Sequence, residues 1–198
     1  MAKRSKVLNT PTPPVDVFAD PPRKHVMLLS CMDQRLLDDT VRFMNELNLH
    51  NRYDQVIFAG AAMGASKLST PLPLKPPASV GCPLAWKNVF FDQLAVAIDG
   101  LRRPIHDIFL LEHMDCGAYK KLYPDEDVQK AYAKCRTATE WTPFHKREVL
   151  PFAKEVVKFC KDRSSEDPWN DMQVWSLLMD MRGNVVTLGC DAIYTPEE

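Results

Sequence analysis

Apolar and polar positions fall into blocks whose periodicity alternates along the chain. Val26-Met27-Leu28-Leu29-Ser30 is a short unbroken apolar run, which predicts a strand buried on both faces. After it, Leu36, Leu37, Val41, Met44 and Leu47 recur at helical spacing and predict an amphipathic helix. Asp54-Gln55-Val56-Ile57-Phe58 predicts a second strand, which ends in the small, flexible stretch Ala59-Gly60-Ala61-Ala62-Met63-Gly64. Residues 88–101 return to helical spacing with Phe91, Leu94, Ala95 and Ile98 on one side, and Pro104 closes that segment. A third strand is predicted over 105–112, around Ile108-Phe109-Leu110-Leu111. Helical patterns cover most of 125–162, with a break expected near Pro143. Two final strands, at about 172–179 and 185–188, flank a turn at Arg182-Gly183-Asn184.

Strand–helix alternation followed by a hairpin predicts an α/β fold. Its central sheet has four to five mostly parallel strands flanked by helices, with an antiparallel C-terminal edge strand. With 198 residues, 45% of them hydrophobic and 26% charged, the chain has ordinary globular composition and fits one domain. Residues 1–22 hold Pro11, Pro13, Pro14, Pro21 and Pro22, which predicts an extended arm ahead of a single domain over 23–198. The Pro-rich stretch 69–83 is expected to be a loop. A net charge of −1 gives no pull toward nucleic acid or an anionic membrane surface. No apolar run is long enough to span a bilayer, and the early bases Lys3, Arg4 and Lys6 precede no apolar stretch. The six cysteines are therefore expected to be reduced thiols in a cytoplasmic protein, free for metal binding or catalysis.

In open parallel sheets, ligands collect at the carboxyl ends of the strands. Here the first strand runs into Cys31-Met32-Asp33-Gln34-Arg35 and the third into His113-Met114-Asp115-Cys116-Gly117. Cys31, His113 and Cys116 make a Cys₂His set matched to Zn²⁺, and three protein ligands leave one tetrahedral position open, as a catalytic zinc requires. The metal would bring the pKa of a bound water toward neutrality. Asp33 and Arg35 follow Cys31 on the same turn. An aspartate paired with arginine stays ionised, and it either orients that water or competes for the metal.

Cys-x-Asp-x-Arg after a first strand, with His-x-x-Cys-Gly after a later one, resembles the β-class carbonic anhydrases over about residues 24–192. The resemblance implies Cys31, His113 and Cys116 as zinc ligands, with Asp33 and Arg35 as the dyad governing the fourth position. It implies reversible hydration of carbon dioxide to bicarbonate by a zinc-bound hydroxide. It also implies a homodimer or higher homo-oligomer with active sites near the subunit interface. Three departures stand out. Members of that family end the second strand in an Arg-Asn-Ala-Gly type sequence, where this chain has Ile57-Phe58-Ala59-Gly60-Ala61. Gln34 replaces the usual small residue between Asp33 and Arg35, and the 69–83 loop is long. All three fall where a substrate pocket or its lid would lie, so carbonyl sulfide and carbon disulfide, which relatives hydrolyse with the same zinc set, are alternative substrates.

A non-catalytic zinc scaffold is the remaining alternative, because Cys82 in the long loop would close the site if it became a fourth ligand. Cys135, Cys160 and Cys190 read as small core residues, and His25, His50, His106 and His145 as structural or solvent-facing. Phe90-Phe91 and the Trp169/Trp175 neighbourhood read as core or interface packing, and the Gly60–Gly64 stretch lacks the ending of a phosphate loop.

Overall fold

The computed structural model describes residues 25–70, 84–163 and 172–192. Five strands form one sheet: β1 (His25–Cys31), β2 (Tyr53–Phe58), β3 (Ile105–His113), β4 (Gln173–Met179) and β5 (Val185–Ala192). Their spatial order is β2-β1-β3-β4-β5. The pairings β1–β2, β1–β3 and β3–β4 are parallel, and β4–β5 is antiparallel. This is the α/β architecture with an antiparallel edge that the apolar runs predict. The hairpin turns at Gly183, whose φ of 81° suits a residue without a Cβ.

Successive side chains of the central strands feed opposite faces. Met27, Leu29, Ile108, Leu110 and Val174 pack against three helices: α2 (Ala61–Lys67), α3 (Trp86–Ala95) and α6 (Ala138–Lys161). Val26, Leu28, Phe109, Leu111 and Leu177 meet Leu36 and Met44 from α1 (Leu37–Glu46) and the turn before it. The short helices α4 (Gly117–Lys121) and α5 (Glu126–Lys134) pack Ala118, Tyr119 and Tyr132 against Met63 of α2 in a third apolar cluster.

Several local expectations change. The small-residue stretch after β2 is not a flexible link: Ala61 to Ala65 are buried at the start of α2. The α1 stripe is not buried as a whole. Leu36, Thr40 and Met44 face the sheet, whereas Leu37 is 56% and Val41 41% exposed. Rows four residues apart lie one above the other on a helix, and the sheet takes only one such row. In α3 the buried residues are Phe90 and Leu94, with Phe91 half-buried, and a π turn over Val96–Gly100 follows. The break expected at Pro143 lies instead between α5 and α6. There Thr137 and Glu140 close a capping box that starts α6, which then runs through both Pro143 and Pro151. Cys190 does not follow the last strand as a core residue but lies within β5, exposed. Cys135 and Cys160 are buried as expected. The arm over 1–22, most of the 69–83 loop including Cys82, and Trp169 lie outside the described residues. Only Ser69–Thr70 and Leu84–Ala85 of that region are described, as a two-residue antiparallel pair.

Among the described residues, no helix is long and apolar enough to cross a membrane.

Candidate metal centre

Strand order places the site. From β1 the chain passes over one face to β2 on one side, and from β3 it passes over the other face to β4 on the opposite side. The carboxyl ends of β1 and β3 therefore flank a topological switch point, where a crevice opens. Cys31 ends β1, His113 ends β3, and Cys116 caps the first turn of α4.

The ligand atoms of Cys31, His113 and Cys116 all lie within 4.8 Å of one another. The two sulfurs are 3.9 Å apart. Tetrahedral bonds of about 2.3 Å from one zinc would set them about 3.8 Å apart. His113 is buried, and its Nδ1 donates to the Met114 carbonyl at 2.8 Å. Its Nε2 is buried without a hydrogen-bond partner. A buried, unpartnered ring nitrogen beside two thiols is costly unless something binds it, and the carbonyl fixes the tautomer that leaves Nε2 as a ligand. The donor set fits a zinc ion.

The two thiols share charge unequally. The hydrogen bond from the Cys116 thiol pulls the Cys31 thiol well down, helped by His113 and by the Gly60 N–H at 3.2 Å, against the effect of burial. Cys116 is pushed well up by that same bond to Cys31 and by burial. Burial pulls His113 down, but the negative sulfur of Cys31 close by leaves it raised overall. A thiolate and a thiol thus hold one proton between them, which a divalent cation would displace.

Asp33 Oδ2 lies 3.8 Å from His113 Nε2. Its carboxylate accepts from the Arg35 backbone N–H at 3.1 Å, from Nε at 2.9 Å and from Nη2 at 2.6 Å. These bonds hold its pKa down to about 2. Arg35 also donates to Asp115 Oδ2 at 2.9 Å and to the Asp115 carbonyl at 3.0 Å, and the two carboxylates raise its pKa. Asp115 binds Lys120 as well. Burial would raise Asp115, but its bonds to Lys120 and Arg35 outweigh that and lower it. Arg35 therefore ties the Cys31 turn to the Cys116 turn.

Sequence reasoning passed over Asp115, although it lies between two ligands and takes the left-handed φ of 56° that Asp tolerates better than most residues. It read Gly60, at φ 81°, only as part of a small-residue stretch, although its amide reaches the Cys31 sulfur; it read His145 as structural or solvent-facing, where it is fully buried, and passed over the buried Glu112 and Tyr132 behind the site. The available signal was a charged residue, Glu112, placed directly after the apolar run Ile108–Leu111.

A cleft of about 310 Å³ opens beside Cys31 and Asp33, walled by Met32, Ala59, Gly117, Ala118, Leu122 and Lys121. Apart from the two site residues and Lys121, its side chains are apolar.

No protein-family model matches the sequence. A Rickettsia bellii protein described as uncharacterized is 26% identical over 157 residues, covering 79% of this chain and 77% of the relative. A similar protein from Rickettsia conorii is 24% identical over 159 residues, covering 80% and 69%. Among solved structures, a mutant of the β-carbonic anhydrase CafD from Aspergillus fumigatus aligns with a TM-score of 0.50 at 13% identity, covering 88% of this chain and 94% of that one. The chain has the β-carbonic anhydrase fold.

Proposed function

We propose that the chain is a zinc-dependent carbonic anhydrase that hydrates carbon dioxide reversibly to bicarbonate and a proton. The observation that carries this reading is the Cys31–His113–Cys116 triad, with buried His113 and Cys116 and an unpartnered His113 Nε2, at the mouth of an apolar cleft on this fold. When bound there, zinc lowers the pKa of a coordinated water, so that a nucleophile is available near neutral pH.

The chain's own residues do the rest. His113 presents Nε2 from the end of β3 with Nδ1 held by the Met114 carbonyl, Cys116 presents its sulfur from a turn whose amide donates to the Tyr132 hydroxyl, and Cys31 presents its sulfur under the Gly60 amide. Asp33 accepts a hydrogen bond from the attacking water and so orients it. With its pKa near 2, Asp33 is too weak a base to hold that water's proton at pH 7. It positions, and the proton leaves through the open cleft to solvent. Arg35 keeps Asp33 ionised and, by binding both of its oxygens, restrains it from swinging onto the metal. The apolar wall receives a neutral linear substrate without a desolvation cost.

The test is stopped-flow carbon dioxide hydration at pH 7 and near pH 9, on protein of determined zinc content. Turnover well above buffer, lost together with zinc in Cys116→Ser, is the expected result. Zinc-replete protein without turnover at either pH would refute it.

One observation favours a second reading. The turn after β2 presents neither amide nor guanidinium side chains, and Met32, Ala59, Ala118 and Leu122 line the cleft. Such a wall also suits carbonyl sulfide or carbon disulfide. Sulfide release at background level from zinc-loaded protein would remove that alternative.

A further inference from the structure

Behind the metal site lies a polar cluster that the proposed chemistry does not touch. Glu112, Tyr119, Tyr132 and His145 are each at most 1% exposed, on β3, α4, α5 and α6. Buried charge costs several kcal/mol unless it is fully paired, and apolar residues of similar size would fill the space more cheaply. The cluster therefore has to be explained by where its bonds end.

Glu112 Oε1 accepts the Ala62 backbone N–H at 2.8 Å. Ala62 stands two residues beyond Gly60, whose N–H donates to Cys31 Sγ. The other oxygen, Oε2, accepts from His145 Nδ1 at 2.9 Å and from the Tyr119 hydroxyl at 3.1 Å. A ring nitrogen facing a carboxylate carries the proton, which leaves His145 Nε2 as an acceptor. It accepts the Tyr132 hydroxyl proton at 3.0 Å. The Tyr132 oxygen in turn accepts the Cys116 backbone N–H at 3.0 Å. Every donor and acceptor along this line is used once in a consistent direction. One end grips the turn that holds the Cys31 sulfur, and the other grips the backbone of Cys116 itself.

We infer that Glu112, His145 and Tyr132 are positioning residues, a buried brace that fixes the two metal-binding sulfurs at their spacing by holding the β2–α2 turn and the Cys116 loop together from behind. The inference rests on the metal-binding reading above. Tyr119 is a side branch: its hydroxyl reaches the same carboxylate, whereas its own link to Cys116 runs through its backbone N–H, which Tyr119→Phe leaves in place. A brace and a merely stabilising cluster therefore differ in what Tyr132 and Tyr119 do to the metal.

The test measures zinc affinity of the full chain by competition with a chromophoric chelator, for wild type, Tyr132→Phe and Tyr119→Phe. Loss of partners that orient metal ligands weakens binding by roughly 10–100-fold. Tyr132→Phe is expected to fall in that range and to shift the thiolate-to-metal charge-transfer band of the cobalt-substituted protein. Tyr119→Phe, an equally buried loss of one hydroxyl, is expected to leave zinc affinity and the cobalt band unchanged even as it lowers thermal stability. Equal zinc affinity in wild type and Tyr132→Phe would overturn the brace while leaving the metal site standing. Wild type that binds no zinc would overturn the metal reading, and the brace with it. Hydrogen exchange on wild type needs no variant: the Cys116 amide is expected to be slow even after metal removal, and exchange as fast as an exposed loop would refute the brace.

Discussion

Replacing Asp33 by Asn separates the charge of this residue from its shape. The Asp33 side chain caps the turn that leads into α1 by accepting the Arg35 N–H, and an Asn oxygen keeps that bond. What is lost is the ion pair with the Arg35 guanidinium. The fall of Asp33 from an ordinary 3.8 to about 2 corresponds formally to about 2.4 kcal/mol. Arg35 is 45% exposed, so water screens the pair and about 1 kcal/mol is the stabilisation expected in practice. For a domain this size that is about 2–4 °C in Tm. The sign follows from the direction of the shift. A carboxyl whose folded pKa is depressed stabilises the fold above its unfolded pKa, and loses that contribution as pH falls toward the folded value. The gap between wild type and Asp33→Asn should therefore be full at pH 5 to 7, about half as large near pH 3, and closed below pH 2. Denaturant titrations of chelator-treated protein across this range make the measurement without metal linkage. Equal stability at pH 7, or a gap that does not shrink by pH 3, would mean that Arg35 does not hold Asp33 ionised.

Three further outcomes follow from the same geometry. Because Cys116 keeps its proton beside the Cys31 thiolate, zinc binding near pH 8 should release at least one proton, and affinity should fall as pH falls; calorimetry in buffers of different ionisation heat counts the protons, and none released would contradict the shared-proton arrangement. Gly60→Ala places a Cβ 2.5 Å from the Met63 Cε and 3.1 Å from the Ala118 Cβ at a φ of 81°, so it should cost about 1–2 kcal/mol and loosen zinc by moving the amide off Cys31, as read by denaturation and chelator competition. Glu112→Gln puts an NH₂ against one of the three donors that Glu112 accepts, and should cost about 2–4 kcal/mol by urea unfolding of metal-free protein; a loss under about 1 kcal/mol would show that His145 and Tyr119 reorient freely.

The sheet was legible because β1 and β3 are built around the apolar runs Val26–Leu29 and Ile108–Leu111, and a parallel sheet sets their ends side by side. That alone brings Cys31 near His113. Thr137-x-x-Glu140 was the stronger boundary signal in the sequence than Pro143, because a capping box satisfies helix-end donors while a proline removes only one interior bond. The burial of α1 was not legible: Leu37 and Val41 are as apolar as Leu36, and only the position of the sheet decides which row is covered. Nor was the cluster behind the candidate metal site. Its members Glu112, Tyr119, Tyr132 and His145 come from four elements, and His145, alone within a helix, has no spacing to mark it. Hydrogen-bond partners of this kind are set by tertiary contact, which a linear pattern does not encode.

The turn after β2 shows how a departure in sequence becomes intelligible in three dimensions. Without an arginine or asparagine there, the turn has no polar side chain to offer a substrate. Its backbone is nonetheless committed: Gly60 N–H goes to the Cys31 sulfur and Ala62 N–H to Glu112. The polar groups of this segment thus support the candidate metal site from behind, and Ala59 is left as an apolar wall of the cleft. A neutral linear molecule needs no hydrogen-bond donor to enter such a wall. An anionic product meets only the flexible Lys121 among the described cleft residues, with Asp33 repelling it.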